Sequence, residues 1–514
     1  MTGATDSAIP APPPYEFKDA LGHPRPLWML FMTEFWERFA FYGMRWALTL
    51  YIVAQFFDGD ASGQGYASRT YGAFLALVYA TALFGGYVAD RIIGYQRSIL
   101  LGALIMAAGL FTIMLPNQDL FVFGLSLVIV GNGLFKPNIS TMVGQLYGVD
   151  DDRRDRGFTI FYMGINAGAL VAPLVTGWLA SVITDTPMQQ NYKVVFAATG
   201  AGMIISFLWF WFGRAQLKGI GEPPAERNGT KSMLGVIVGA AIAVPIVYLL
   251  IDRVGAEILA WLLATLFIGL AIMLLVEAIR EGKVQTHRVI AMLIIFLFNV
   301  LFWMFFEQAG SSFNFLAEGI VDRKMFGGWE FPVGWFQSVN PVAIVLLAPI
   351  AAMIWGYLGR KKMEPSIPRK FGLGLLGNAV AFLVLMYALT NLVGPDGLIP
   401  FWPLVLVYVL QTAGELCLSP IGLSMVTKLA RPSEVGLAMG GWFLSIATAN
   451  YMAGRIAAIA TGGGEEAAEG AADAVADVSS YLDVFGQLFW GGLIIAAVFF
   501  VLAPFVNKLM HGVK

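Results

Sequence analysis

Seven ionisable side chains stand inside stretches of the sequence that are otherwise apolar: Glu34, Glu37, Arg38, Arg45, Lys136, Glu307 and Glu415. At 100° per residue, Glu34, Glu37, Arg38, Phe41 and Arg45 fall within a sector of about 100°, so one stripe of one helix is polar. Opposite charges at i, i+3 and i+4 can serve merely to glue helices together, but Ser, Thr or Gly would do that at lower cost. Fully ionised, the set holds four carboxylates against three cations. Desolvation resists the excess negative charge, and protonating one carboxylate removes it, so proton binding is chemistry this set can perform. The count leaves open which carboxylate takes the proton. Separate anionic and cationic groups also suit a ligand bearing one charge of each sign. Its ammonium would seek Glu415 and its carboxylate Arg38, Arg45 and Lys136, arginine offering a bidentate fork.

The elements that must position these groups are membrane helices. Of 514 residues, 58% are hydrophobic and 13% charged, a balance that excludes a soluble domain of this length. A net charge of -2 gives no field to attract nucleic acid or another polyion. A bilayer core of about 30 Å needs about 20 apolar helical residues per crossing. Fourteen such runs are found, near 28–54, 69–90, 97–115, 120–143, 157–183, 192–213, 233–251, 256–279, 286–316, 336–358, 371–391, 400–429, 435–457 and 483–507. Arg91, Arg97, Arg153, Arg154, Arg156, Arg214, Lys218, Lys231, Arg280, Lys283, Arg288, Arg360, Lys361, Lys362 and Lys508 fall on one side, which identifies it as the cytoplasm. An even number of crossings puts both termini there, in a bacterial-type inner membrane. Residues 1–25, with Pro12, Pro13 and Pro14, lack the order of a signal peptide and read as a cytoplasmic tail. Residues 26–216 and 285–514 form two six-helix halves, and 217–284 a polar linker with two inserted helices free of mid-helix charge. GGYVADRIIGYQR, from Gly85 to Arg97, has a degraded echo in GYLGRKK, from Gly356 to Lys362. Such internal repeats mark transporters whose substrate site lies near the midplane between halves. Pro137, Pro173, Pro341 and Pro420 are expected to interrupt helix bonding. Glu318, Asp322, Arg323 and Lys324 read as a solvated rim. Cys417 is the sole cysteine, which excludes an internal disulfide and any CxxC metal or redox motif. The three histidines, His23, His287 and His511, all lie in polar flanks.

At these charged positions the sequence resembles a known family. EFWERFAFYG, from Glu34 to Gly43, looks like the E-x-x-E-R-F-x-Y-Y-G signature of the proton-dependent oligopeptide transporters, a branch of the major facilitator superfamily. GNGLFKPNIS (131–140), FYMGINAGAL (161–170), FWMFFEQAGSS (302–312), QSVNP (337–341) and GELCLSPIGLSMVTKLARP from Gly414 follow in family order across both halves. The resemblance implies an all-α membrane protein of the major facilitator fold, two six-helix bundles plus two inserted helices. The function it implies is proton-coupled import of di- and tripeptides by alternating access. It further implies that Glu34, Glu37, Arg38 and Glu307 take part in proton coupling, and that Lys136 and Glu307 form a gating salt bridge. Glu415, with Asn340 beside it, would hold the peptide amino terminus. Arg45 and Lys136 would meet its carboxyl end, and Asn166 its backbone. Tyr42, Tyr79, Trp303 and Trp442 match aromatic pocket positions, and Asp90 and Arg91 a conformational switch loop. Phe41 departs from the family tyrosine. The lost hydroxyl is worth about 0.5 to 1.5 kcal/mol, too little to abolish peptide binding.

The expected partners are peptides, protons and the lipid bilayer, with one chain sufficient for function. No metal or other cofactor is expected, the proton gradient supplying the energy. An alternative cargo, nitrate or an amino-acid-like solute, is carried by relatives with the same first-helix signature, and Glu415 argues for one bearing an ammonium. A peptide sensor or a membrane enzyme is a third class. The sequence has no H-E-x-x-H, G-x-S-x-G or phosphate-loop pattern to support catalysis.

Overall fold

The computed structural model describes residues 17–148, 151–186, 189–223, 229–252, 255–431, 434–461 and 478–513. The proline-rich start of the tail and the Gly/Ala/Glu/Asp stretch after Thr461 lie outside them. Twelve described helices are long and apolar enough to cross a membrane. The first helix, α1 (Arg25–Phe56), falls outside that count because it carries the charged stripe. A further crossing is broken into α13 (Trp402–Leu416) and α14 (Ser419–Leu429). With these two the fourteen hydropathy runs are all found, and the chain is an all-α, multi-pass membrane protein.

The first half comprises α1, α2 (Gly63–Val88), α3 (Tyr95–Ile113), α4 (Gln118–Gln145), α5 (Arg154–Val182) and α6 (Tyr192–Gly213). Here α1 packs along α5 and α6, and α3 lies along α4. Lipid tails are as apolar as leucine, so membrane helices associate through close packing of small residues. Gly102 and Gly109 of α3 accordingly meet Gly131 and Gly124 of α4, where a Cβ would come within 2.6 Å of the facing carbonyl oxygen. The inserted pair follows, α7 (Thr230–Asp252) and α8 (Gly255–Glu281). It divides its contacts, α7 lying on α4 and α2 while α8 lies on α9 (Lys283–Phe306) and α15 (Val435–Ala460).

The second half is α9, α10 (Ser312–Gly319), α11 (Val339–Arg360), α12 (Ile367–Asn391), α13, α14, α15 and α16 (Val478–Leu509). A 3-10 turn at Glu307–Gly310 separates α9 from α10, so the run read as one helix over 286–316 is interrupted at its glutamate. Pro137 and Pro173 lie inside helices as expected, whereas Pro341 and Pro420 occupy first turns. In a first turn the missing N–H has no intrahelical partner to lose, so these two start helices instead of bending them. The supposed rim is also structured. Arg323 is only 8% exposed and pairs with Glu330 at 2.7 Å, and Glu318 accepts a hydrogen bond from Tyr192 of the other half at 2.8 Å. Residues 17–24 are not all tail, since Asp19–Ala20 and His23–Pro24 pair as a short antiparallel hairpin before α1.

The halves meet along α2 and α15, where Gly72 and Gly454 bring two backbones together. A Cβ on Gly72 would lie 2.7 Å from the Gly454 Cα, so neither position accepts a larger residue without separating the helices. Other ties between halves are Asn314 Nδ2 to Trp46 O at 3.0 Å, Trp335 Nε1 to Leu174 O at 2.9 Å and Ser338 Oγ to Leu170 O at 3.0 Å. All belong to the end opposite the cation-rich loops, because α1 and α5 both start at the cation-rich end and these residues lie far along them. Toward the other end Phe84, Tyr87, Tyr162 and Met163 are exposed.

Candidate functional site

Helix periodicity delivers the α1 stripe to the interior, and Glu34, Glu37 and Arg38 are all buried. Arg38 faces two carboxylates at once. Its Nη2 donates to Glu37 Oε1 at 2.6 Å, its Nε contacts Glu37 Oε2, and the same Nε lies 3.3 Å from Glu34 Oε1. Asn132 of α4 adds a third donor to Glu37, Nδ2 to Oε1 at 3.1 Å. Glu34 Oε2, by contrast, is buried without a hydrogen-bond partner. The guanidinium also lies over the Phe41 ring, 5.0 Å from its centroid, so the residue standing in the family tyrosine position stacks on the cation in place of bonding to it.

About two turns beyond Arg38, Arg45 reaches across to the second half and forms an ion pair with Glu307, while its Nε donates to Tyr71 Oη at 2.5 Å. The salt bridge expected between Lys136 and Glu307 is therefore not the one this conformation contains. Lys136 Nζ sits on the Tyr79 ring instead, 4.4 Å from its centroid, and makes no ion pair among the described residues. Arg45 ends α1's polar stripe, and its pairing with Glu307 leaves the lysine on the aromatic face.

Glu415 occupies the penultimate position of α13, just before the break at Cys417. Asn340 donates to its Oε2 at 2.9 Å and to Thr412 Oγ1 at 2.9 Å, so the asparagine is fixed from two sides. No cation lies within ion-pair distance of Glu415 among the described residues. It nevertheless lies near enough to Arg45, Glu307, Tyr42 and Tyr162 to interact with them electrostatically. Tyr42 lies between Arg38 and Arg45, each guanidinium 6.0 Å from its ring centroid.

The remaining expected residues divide. Trp303 packs between Phe302 and Phe306 with its Nε1 buried and unpartnered, so a donor remains to be used. Asn166 is half-buried and spends its amide on Tyr162 O of its own helix at 2.9 Å. Trp442 is only 3% exposed and packs against Phe296 and Phe371 of the second half. Asp90 and Arg91 lie in the π turn Ala89–Ile93 that ends α2, where Tyr95 donates to Asp90. Three partners escaped the sequence reading: Tyr71, Asn132 and Thr412. Asn132 was findable, being one turn before Lys136 on the same face of α4. Tyr71 was not, because nothing distinguishes it from other aromatics of an apolar helix.

Comparison with known proteins identifies the family. The chain is 37% identical over 457 residues to the peptide transporter YePEPT of Yersinia enterocolitica subsp. palearctica, covering 85% of this chain and 88% of that one. It is 33% identical over 496 residues to dipeptide and tripeptide permease B of Photorhabdus luminescens, covering 96% and 98%. Among solved structures, the peptide transporter POT in complex with sulfate superposes with a TM-score of 0.81 at 32% identity, over 97% of this chain and 98% of that one. A POT family transporter in complex with 5-aminolevulinic acid superposes at 0.79 and 29% identity, over 95% and 98%. With the PTR2 model, described as POT family, matching residues 96–470, the chain belongs to the POT family.

Proposed function

We propose that this protein imports di- and tripeptides together with protons by alternating access, in a bacterial-type inner membrane with both termini in the cytoplasm. The observation that carries the reading is the separation of charge across the interior. Among the described residues, Glu415, held by Asn340 on the second half, pairs with no cation, and Lys136 on the first half pairs with no carboxylate. A zwitterion satisfies both, its ammonium at Glu415 and its carboxylate between Lys136 and Arg45, with Tyr42, Tyr79 and Trp303 as apolar wall. The relatives named as peptide transporters and permeases support the same cargo. The relative that binds 5-aminolevulinic acid supports a second, narrower reading, an amino-acid-like cargo with the same two charges.

The ties between halves at the cation-poor end, with Arg45–Glu307 as the innermost, correspond to a state closed to the outside. Opening outward requires the pair to part, which a carboxylate competing for Arg45 or a proton on Glu307 promotes. In that exchange Lys136 is the cation left to meet Glu307, which keeps the expected Lys136–Glu307 bridge as a step of the cycle. Residues 26–216 and 285–514 move as the two halves, with α7 and α8 each following the half it packs against. Asp90 and Arg91 sit in the turn that must deform as the cation-rich end closes.

Glu34 is the carboxylate that holds the transported proton. Arg38 and Asn132 give Glu37 three donors, whereas Glu34 has one distant contact and an unpartnered oxygen. A buried charge with so little compensation is neutralised at least cost by a proton. Proteoliposomes with an alkaline lumen are expected to accumulate labelled dipeptide. Glu34→Gln, a mimic of the protonated acid, is expected to lose accumulation while retaining dipeptide exchange. Accumulation that ignores the proton gradient would remove the coupling, and failure of unlabelled dipeptides to compete would remove the cargo.

A further inference from the structure

We infer that an acyl chain of a membrane phospholipid inserts between the helix α7 and the first half, along a groove whose floor is the crossing of α2 with α4. The groove encloses about 520 Å³ and is lined by α2 and its closing turn between Thr81 and Ile92, by α4 between Val130 and Leu134, and by α7 between Ser232 and Val247. Residue choice keeps it open. Gly235, Gly239 and Ala243 recur at every fourth position of α7 and so share one face. A Cβ on either glycine would meet no atom within 4 Å, whereas the glycines of α3 and α4 bring two backbones into contact. Small residues on α7 therefore leave room and do not close an interface. Toward its other end α7 is held to the bundle, with Val244 and Val247 buried and Tyr248 Oη donating to Asp119 Oδ1 at 2.7 Å.

Polarity, surroundings and length together identify the occupant. Thr81 is the polar side chain of the floor, and its hydroxyl is already spent on Leu77 O at 2.9 Å and Ile129 O at 3.2 Å. A buried water needs about 2 to 4 polar partners, more than this floor supplies. The opposite face of α7 presents Leu234, Ile237, Ile242 and Ile246 outward, on a helix long and apolar enough to cross a membrane. Hydrocarbon is the solvent of that face, and the groove opens to it because Gly235 and Gly239 are themselves exposed. Its level follows from the spans that line it. Val130 to Leu134 bracket the midpoint of α4, while Ile92 and Ser232 stand at the cation-rich ends of α2 and α7. From mid-span to one end the groove runs about 16 Å along α2 at 1.5 Å per residue, the depth of one leaflet in a hydrocarbon core of about 30 Å. One acyl chain has that reach. Held there, it packs α7 against the first half at the level where the side chains of α7 are too small to do so.

Photocrosslinking in proteoliposomes tests this. A phosphatidylethanolamine with a diazirine midway along one acyl chain is expected to label the buried floor, Val130 and Leu134, as well as outward residues such as Leu234 and Ile242. The double substitution Gly235→Leu and Gly239→Leu fills the groove and should cut floor labelling about tenfold or more, with outward labelling changed less than about twofold. Gly491→Leu on α16, where a Cβ likewise meets no atom within 4 Å, adds the same bulk elsewhere and should leave both patterns intact. Melting temperatures in detergent show whether the variants fold, and the labelling pattern of the unmutated protein decides by itself should the double variant not do so. Labelling confined to outward residues would overturn the assignment, as would floor labelling that survives the double substitution in a folded protein. Suppression of floor labelling by equimolar oleate would overturn it by making the groove a free-fatty-acid site. A disulfide-linked dimer of Gly239→Cys in a Cys417→Ala background would overturn it in favour of a second copy of the chain. None of these readouts depends on what the protein transports.

Discussion

Glu415→Gln separates recognition of the peptide ammonium from everything else the site does. The amide is isosteric with the carboxylate, and its oxygen can still accept from Asn340 Nδ2, which now lies 2.9 Å from Glu415 Oε2. What disappears is the charge on the side chain, and with it the acceptor that Oε1 offers to a substrate ammonium. A hydrogen bond to a charged group is worth about 1.5 to 3 kcal/mol, which corresponds to roughly 10-fold to 150-fold in affinity. A dipeptide with a free amino terminus should lose that factor, while its N-acetylated form, which has no ammonium, should lose less than about twofold. The assay is competition of each ligand against labelled dipeptide in proteoliposomes, with unmutated protein and the variant measured in parallel. The reasoning is refuted if both ligands weaken by the same factor, since the substitution would then have disturbed the pocket generally. It is equally refuted if the free dipeptide is unaffected, since its ammonium would then lie elsewhere.

Tyr71→Phe removes the hydroxyl that accepts from Arg45 Nε at 2.5 Å and should weaken closure at the cation-poor end by about tenfold or more. With Cys417→Ala as background, a cysteine introduced at Ser338 should react faster with a membrane-impermeant reagent in the Tyr71→Phe protein. Gly454→Val places its Cβ 2.6 Å from Ser68 O and 2.7 Å from the Gly72 Cα, so α2 and α15 must separate. An overpacked contact of this kind costs about 1 to 3 kcal/mol, and a lower melting temperature in detergent is the expected reading.

The crossings were legible because a bilayer imposes one rule on every residue, and a run of twenty apolar side chains has few other uses. The exception, α1, shows why the charged residues were also legible. A helix that carries Glu34, Glu37, Arg38 and Arg45 can cross only if those groups are held against protein, and the first three are buried while Arg45 is paired with Glu307. Pairing was not legible. Lys136 and Arg45 are both cations within reach of the same interior, and their choice between Glu307 and an aromatic face depends on axial level and rotation of helices far apart in sequence. Trp442 shows a related ambiguity, since an aromatic near a helix start fits a pocket wall, a membrane interface or a packed core equally well, and here its ring packs on Phe296 and Phe371.

The breaks in the second half connect fold to mechanism. Glu307 opens the 3-10 turn after α9, and Glu415 stands one residue before the end of α13. Both acids of the second half thus lie where a membrane helix is interrupted, and both face the charged groups of the first. Interrupted backbone at membrane depth persists only where protein or a wet cavity satisfies it, so the breaks and the acids demand the same environment. Gln308 Nε2 donates to Ala453 O at 3.1 Å, and Tyr408 Oη donates to Ala309 O at 3.1 Å, so the first break is held by neighbouring helices and not left loose. A rigidly held turn fixes the height of Glu307 relative to Arg45, and in the proposed cycle a small axial shift of one half would change which cation that carboxylate meets. Each half therefore needs little internal change for the partner of Glu307 to alternate, which is the requirement for coupling a carboxylate's state to the movement of the halves.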